Sequence, residues 1–163
     1  MKYRIYTDGS ALGQNKKSIW DHTPTRGGWA FVVVDEKGNV MAGASGDGSD
    51  DAQETTNNRM ELMAILKGVR AAYKIDDEAE YTVYSDSKYS VDCIEEYGPV
   101  WKTKGWKKTG GGKPSNLDLI KPLMEAKKYI NYKALWIKGH NGDEFNEMVD
   151  EMANTAATKQ EVK

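Results

Sequence analysis

Apolar and polar positions divide the chain into extended stretches followed by longer helical ones. Residues 3–7 (Tyr3-Arg4-Ile5-Tyr6-Thr7) alternate and are rich in β-forming types, which predicts a strand ending at Asp8. An irregular Gly- and Lys-containing loop follows over residues 9–27. Residues 29–34 form a continuous apolar run, the pattern of a strand buried on both faces. Lys37-Gly38-Asn39 makes a turn, residues 40–44 start the return strand of a hairpin, and residues 45–56 read as a polar loop. The period then changes. Leu62, Ile65, Leu66, Val69, Ala72 and Tyr73 fall on one stripe of a helix beginning near Asn58.

Residues 81–84 form a short strand ending at Ser85-Asp86-Ser87, with a helix from there to about Tyr97. Residues 117–130 are helical, with Leu119, Leu123 and Met124 inward, and residues 132–137 form a strand. After a polar loop at 138–144, a last helix carries Phe145, Met148, Val149, Met152, Ala153 and Ala156 on one face. Three strands followed by alternating helices and strands predict an α/β fold. Its mixed sheet would contain an antiparallel meander, with helices on both faces.

Composition narrows the class. At 163 residues, 39% hydrophobic and 29% charged, the chain suits one globular domain over 1–163, without repeat or linker. A net charge of −2 leaves any attraction to phosphate to local patches. Cys93 is the only cysteine, which excludes an internal disulfide and suits a reducing compartment. The N-terminus has no leader-like apolar stretch, and the run at 29–34 is far too short to span a bilayer. A cytoplasmic monomer with no membrane partner is expected.

Four acids stand out by position: Asp8 and Asp86 at strand ends, Glu61 near a helix start, and Asp150 beside the apolar face of the last helix. Strand ends collect ligand sites in open α/β sheets. Each acid also has a plain structural reading. Asn58 and Glu61 fit a capping box, Ser85 or Asp86 can cap the next helix, Asp8 can form a turn before Gly9, and Asp150 can be half-solvated.

Context separates these readings. The chain contains Tyr6-Thr7-Asp8-Gly9-Ser10, then Thr55-Thr56-Asn57-Asn58-Arg59-Met60-Glu61-Leu62, then Tyr84-Ser85-Asp86-Ser87. Residues 101–106, bounded by tryptophans, follow, then Lys138-Gly139-His140-Asn141-Gly142 and residues 146–153, Asn-Glu-Met-Val-Asp-Glu-Met-Ala. In order and spacing these motifs resemble the type-one (bacterial) ribonuclease H family from Tyr3 to about Ala157. The resemblance implies a five-stranded mixed sheet flanked by helices. It also implies an endoribonuclease that cuts the RNA strand of an RNA–DNA hybrid, leaving 5′-phosphate and 3′-hydroxyl ends.

By the same resemblance Asp8, Glu61, Asp86 and Asp150 gather as metal-binding acids, with Asp8 bridging two ions. Hard carboxylate oxygens suit Mg²⁺ or Mn²⁺, and the sequence offers no cysteine–histidine cluster for zinc. Two such ions about 4 Å apart can activate water and stabilise a departing oxygen. The resemblance gives His140 an accessory part in proton transfer or product departure, which a pKa near ~6.5 suits. A surface histidine in a turn is the plain alternative there, and it is the reading given to His22.

Between Gly98 and Leu117 there is no acid, while Lys102, Lys104, Lys107, Lys108 and Lys113 alternate with Trp101 and Trp106. This is either a solvated lysine loop anchored by its tryptophans or a surface for a nucleic-acid backbone. The resemblance favours the second, as the basic protrusion that grips the DNA strand. It further implies that Thr56 and Asn116 hold a DNA phosphate, and that Asn57 and Asn58 read the minor groove, where 2′-hydroxyls mark RNA. Departures from the pattern are the long 9–27 loop, Glu54 in place of a basic residue, Lys88 in place of glutamine, and no proline after Gly142. Rival readings are a resolvase or reverse-transcriptase nuclease domain on the same fold, and a non-catalytic hybrid-binding module. The full motif set and the basic segment argue against the resolvase, a free-standing chain beginning at Met1 against the reverse-transcriptase domain, and the presence of all four acids against the binding module.

Overall fold

The computed structural model describes residues 1–12, 26–51, 53, 55–108, 110–139 and 142–160. Most of the 9–27 loop, with Lys16, Lys17 and His22, lies outside them, as do Glu54, His140 and Asn141.

The sheet is built from β1 (Lys2–Leu12), β2 (Arg26–Val34), β3 (Val40–Asp47), β4 (Glu80–Ser85) and β5 (Asn131–Trp136), in the spatial order β3-β2-β1-β4-β5. The β1–β2 and β2–β3 pairs are antiparallel, and β1–β4 and β4–β5 are parallel, so the expected meander and mixed sheet are present. The helices are α1 (Asn57–Ile75), α2 (Lys88–Asp92), α3 (Gly98–Thr103), α4 (Leu117–Ala126) and α5 (Glu144–Lys159). No helix among the described residues is long and apolar enough to cross a membrane.

β2 shows why a continuous apolar run was needed. Side chains alternate across a strand, so Trp29, Phe31 and Val33 enter the core beneath α1 and α4. Ala30, Val32 and Val34 instead meet Tyr6, Val149 and Ala153 beneath α5. Both faces are covered, and every position from Gly27 to Val34 is buried. α1 buries Leu62, Ile65, Leu66, Val69 and Ala72, as its stripe requires, but Tyr73 at the stripe's margin stays half exposed.

Several boundaries differ from expectation, each for a local reason. β1 does not end at Asp8. It continues to Leu12 because β2 goes on pairing with it as far as Leu12↔Arg26. What ends is the other side: the last β1–β4 partners are Tyr6 and Tyr84. β3 runs on to Asp47, so the first part of the 45–56 loop is strand. The helix after β4 does not stop near Tyr97. It passes through a widened π-turn at Cys93–Tyr97 into α3, which places Trp101 and Lys102 on a helix.

α5 lies directly on β2. A methyl group at Gly28 would collide with the Ala153 carbonyl oxygen and crowd the Ala157 amide, both backbone atoms that cannot swing away. Gly28→Ala is therefore expected to destabilise the protein by about 1–3 kcal/mol, read as a lower Tm. An unchanged Tm would mean that α5 does not sit this close.

Candidate active site

Asp8 lies two positions beyond the last β1–β4 pair, and Asp86 lies immediately after β4 ends, so both stand at the carboxyl end of the parallel pairing. Glu61 arrives from α1. Its approach depends on Gly9, where any side chain would strike the backbone of Met60 and Glu61. With only hydrogen there, α1 packs against β1 and the Glu61 carboxylate accepts a hydrogen bond from the Gly9 amide. Asp8, Glu61 and Asp86 each offer an oxygen within 4.8 Å of the other two.

The structural duties that these acids could have had are performed by others. The N-cap of α1 is Thr56, whose hydroxyl accepts from the Arg59 amide at 3.2 Å. Glu61 is thus in the second turn and forms no capping box with Asn58. Ser87, not Ser85 or Asp86, caps α2 by accepting from Ser90. Asp8 is inside a strand, not in a turn.

The arrangement is electrostatically costly. Asp8 is 4% exposed and Glu61 7%. Burial, then the Asp86 and Asp150 charges, push the Asp8 carboxyl up to about 8. Burial and the neighbouring Asp8 and Asp86 hold Glu61 well above the usual carboxylate range. Glu61 Oε2 is buried with no hydrogen-bond partner among the described residues. Clustered hard oxygens, mutual repulsion and an orphaned buried acceptor are what a divalent cation would resolve, so the donor set fits one.

Asp150, half-buried on α5, stands outside the tight trio but lines the same open cleft of about 310 Å³ with Asp8, Glu61 and Asp86. It accepts from Asn154 at 3.3 Å, and Asn154 in turn accepts from Ser10 of β1 at 2.8 Å. Neither of these two polar residues stood out in the sequence. Their signal, a polar residue one helical turn beyond Asp150 facing a strand serine, exists only once α5 lies across β1.

The other expected residues divide into groups. Asn57 and Asn58 are exposed at the cleft, with Asn57 Oδ1 accepting from the Ala11 amide at 2.7 Å. Thr56 and Asn116 are half-buried and joined through Arg59. Lys102, Lys104, Lys107 and Lys108 are exposed. Trp101 and Trp106 are half-buried against the core, Trp101 stacking on Tyr97 and Trp106 under Lys121. The tryptophans therefore anchor the segment, as the plainer reading held, whatever else they touch. His140 lies outside the described residues.

The raised carboxyls imply a pH dependence for the metal-free protein. An unfolded chain ionises Asp8 near 3.8, the folded chain only near 8. Across that window the folded state binds more protons, so stability falls as pH rises. Asp8→Asn is expected to raise the Tm in chelator, by the equivalent of about 1–2 kcal/mol near neutrality. The advantage should widen from pH 5 to pH 8. Thermal melts at both pH values check this, and an equal Tm for the two proteins at pH 8 would contradict it.

The family model described as RNase H matches residues 1–158. Ribonuclease H of Novosphingobium aromaticivorans is 37% identical over 155 residues, covering 94% of each chain. Ribonuclease H of Erythrobacter litoralis is 35% identical, covering 98% of each. Among solved structures, LC9-RNase H1, described as a type 1 RNase H with the type 2 active-site motif, superposes with a TM-score of 0.77 at 26% identity, over 98% of this chain and 74% of that one. The foamy viral protease-reverse transcriptase in complex with RNA/DNA hybrid shares the fold (TM-score 0.79, 16% identity), and this chain spans only 20% of it. By sequence and by fold, the chain belongs to the ribonuclease H family.

Proposed function

We propose that the chain hydrolyses the RNA strand of RNA–DNA hybrids, leaving 5′-phosphate and 3′-hydroxyl ends. Asp8, Glu61, Asp86 and Asp150 would hold two divalent ions, Mg²⁺ first and Mn²⁺ as a substitute. The observation that carries the reading is the convergence of three carboxylates, one of them with an unpartnered buried oxygen, at the carboxyl end of the parallel strands. When bound, such ions supply an activated water and charge neutralisation at the scissile phosphate.

The chain's own groups do the rest. Asp8, which faces Glu61 and Asp86 and shares the cleft with Asp150, would contribute to holding both ions. Asp150 is held by Asn154 at 3.3 Å and completes the oxygen set from the α5 side. His140, two residues beyond Lys138 in the sequence, takes or gives a proton as product leaves. Asn57 and Asn58 face the minor groove, where a 2′-hydroxyl distinguishes RNA. Thr56 and Asn116 grip a DNA phosphate. Lys102, Lys104, Lys107 and Lys108 track the DNA backbone beyond it, with Trp101 and Trp106 setting the height of that surface. We expect one domain over 1–163 to suffice, working as a cytoplasmic monomer.

A labelled RNA–DNA hybrid beside matched RNA–RNA and DNA–DNA duplexes, with and without Mg²⁺, tests the class. Cleavage should be confined to the RNA of the hybrid and require the metal. Asp8→Asn and Asp86→Asn should abolish it in folded protein, while His140→Ala slows it about a hundredfold. Near-wild-type turnover of Asp8→Asn at saturating Mg²⁺ would overturn the metal assignment, and cleavage of RNA–RNA duplex would overturn the substrate.

A further inference from the structure

Asp86 is the one acid of the trio whose backbone has left regular structure. Asp8 is paired with Ala30 inside the β1–β2 ladder and Glu61 lies within α1, but Asp86 follows the last residue of β4. The neighbouring strands no longer hold it. β1 stops pairing with β4 at Tyr84, and the Ile137 amide, just past β5, donates to the Ser85 carbonyl at 2.9 Å. The Ser85 hydroxyl accepts from the Ser87 amide at 3.1 Å, and Ser87 then caps α2. Among the described residues no backbone amide reaches the Asp86 carbonyl.

The donor that does reach it is a side chain. Trp136, the last residue of β5, donates its indole N–H to the Asp86 carbonyl oxygen at 3.1 Å. Side chains alternate along a strand, so Trp136 falls on the same face as the buried Tyr132 and Ala134, one step past the end of the core. It is 52% exposed there. Half of a large apolar ring is left in water, so burial is a poor reason for a tryptophan at this position. An indole has one donor and no acceptor, and this one is committed to the main chain of Asp86. The same stretch meets Asp86 a second time. A methyl group on Gly139 would stand 3.0 Å from Asp86 Oδ2, so the carboxylate rests against a glycine that leaves it room. Peptide and carboxylate of Asp86 are thus both bounded by the segment from Trp136 to Gly139.

We propose that Trp136 is a positioning residue for the metal site: its indole N–H fixes the Asp86 peptide, and so fixes where the Asp86 carboxylate stands relative to Asp8 and Glu61. The inference rests on the proposed metal-binding reading and deepens it. Like charges gain nothing by meeting, and Asp86, half-buried just past a strand end, is the member of the trio with an open cleft to swing into. A hydrogen bond to its peptide opposes that swing while leaving both carboxylate oxygens free to accept a cation. Partners one step removed from the metal tune affinity in this way.

The test compares Mg²⁺ binding by calorimetry, without nucleic acid, in the wild type, Trp136→Phe and Gly139→Ala, beside KM, kcat and Tm. Trp136→Phe keeps an aromatic ring in place and removes the donor. Its dissociation constant for Mg²⁺ should rise about fivefold, the yield of one neutral hydrogen bond, and the Mg²⁺ dependence of cleavage should move by the same factor. At saturating Mg²⁺, kcat and the KM for the hybrid should stay within about twofold of wild type. Gly139→Ala, which crowds Asp86 Oδ2 and leaves the indole in place, should weaken Mg²⁺ binding as well. Wild-type Mg²⁺ affinity in Trp136→Phe would overturn the proposal, whether Tm falls, as for a merely structural ring, or KM rises, as for a substrate contact. Full affinity in Gly139→Ala would equally show that this segment does not set the place of Asp86. If the wild type binds no Mg²⁺, the metal-binding reading falls first, and the role of Trp136 with it.

Discussion

The close approach of α1 to β1 at Gly9 is the constraint on which the site depends. A hydrogen in place of a side chain lets the Glu61 backbone rest on the strand, and this carries a buried glutamate to a buried aspartate. Nothing in the acids favours that meeting. Burial and like charge disfavour ionisation of both, so the packing of α1 and α5 on the sheet must hold together what electrostatics would separate. The apolar faces supply that force. Ile65, Leu66 and Val69 on α1, and Val149 and Ala153 on α5, clamp the sheet from both sides. Repulsion is then stored where a cation can relieve it.

The same sheet separates recognition from chemistry. The acids occupy the carboxyl end of β1 and β4, where the parallel pairing stops. The basic segment is carried outward by the α2–α3 helix and its π-turn, with Trp101 and Trp106 fastening its root to the core. Between these lies the Arg59 network, joining the loop before α1 to the start of α4. A chain of near-zero net charge can in this way present an acidic cleft and a basic surface without either cancelling the other.

Much of this was legible in the sequence, and the rest was hidden for identifiable reasons. The doubled apolar pattern of β2 and the stripe of α1 report burial directly, so the layers and the mixed sheet followed from them. Strand ends did not, because Asp8 ends only one of β1's two pairings and a linear pattern cannot say which neighbour is lost. Asn58 looked like a cap because asparagine is a good one, but Thr56 stands two residues earlier and takes the Arg59 amide. Tyr73 fits the stripe by spacing, yet it falls beyond the cover that α4 provides and stays half exposed. The ion pairs of Arg59 were invisible, since nothing in the pattern singles out Asp51, eight residues before it, and Asp118 lies far along the chain. Asn154 and Ser10 were hidden by the same distance.

The central claim is that the fold holds together buried carboxyl groups whose ionisation burial and like charge oppose, in readiness for a divalent cation. Calorimetric titration of the wild-type protein with Mg²⁺ at pH 7, repeated in buffers of different ionisation enthalpy, tests it directly. With Asp8 raised to about 8 and Glu61 raised with it, binding must expel protons. The apparent enthalpy should therefore change with the buffer, in proportion to a net proton release that is smaller in Asp8→Asn, where burial still raises Glu61. An enthalpy independent of the buffer, with Mg²⁺ bound all the same, would contradict it.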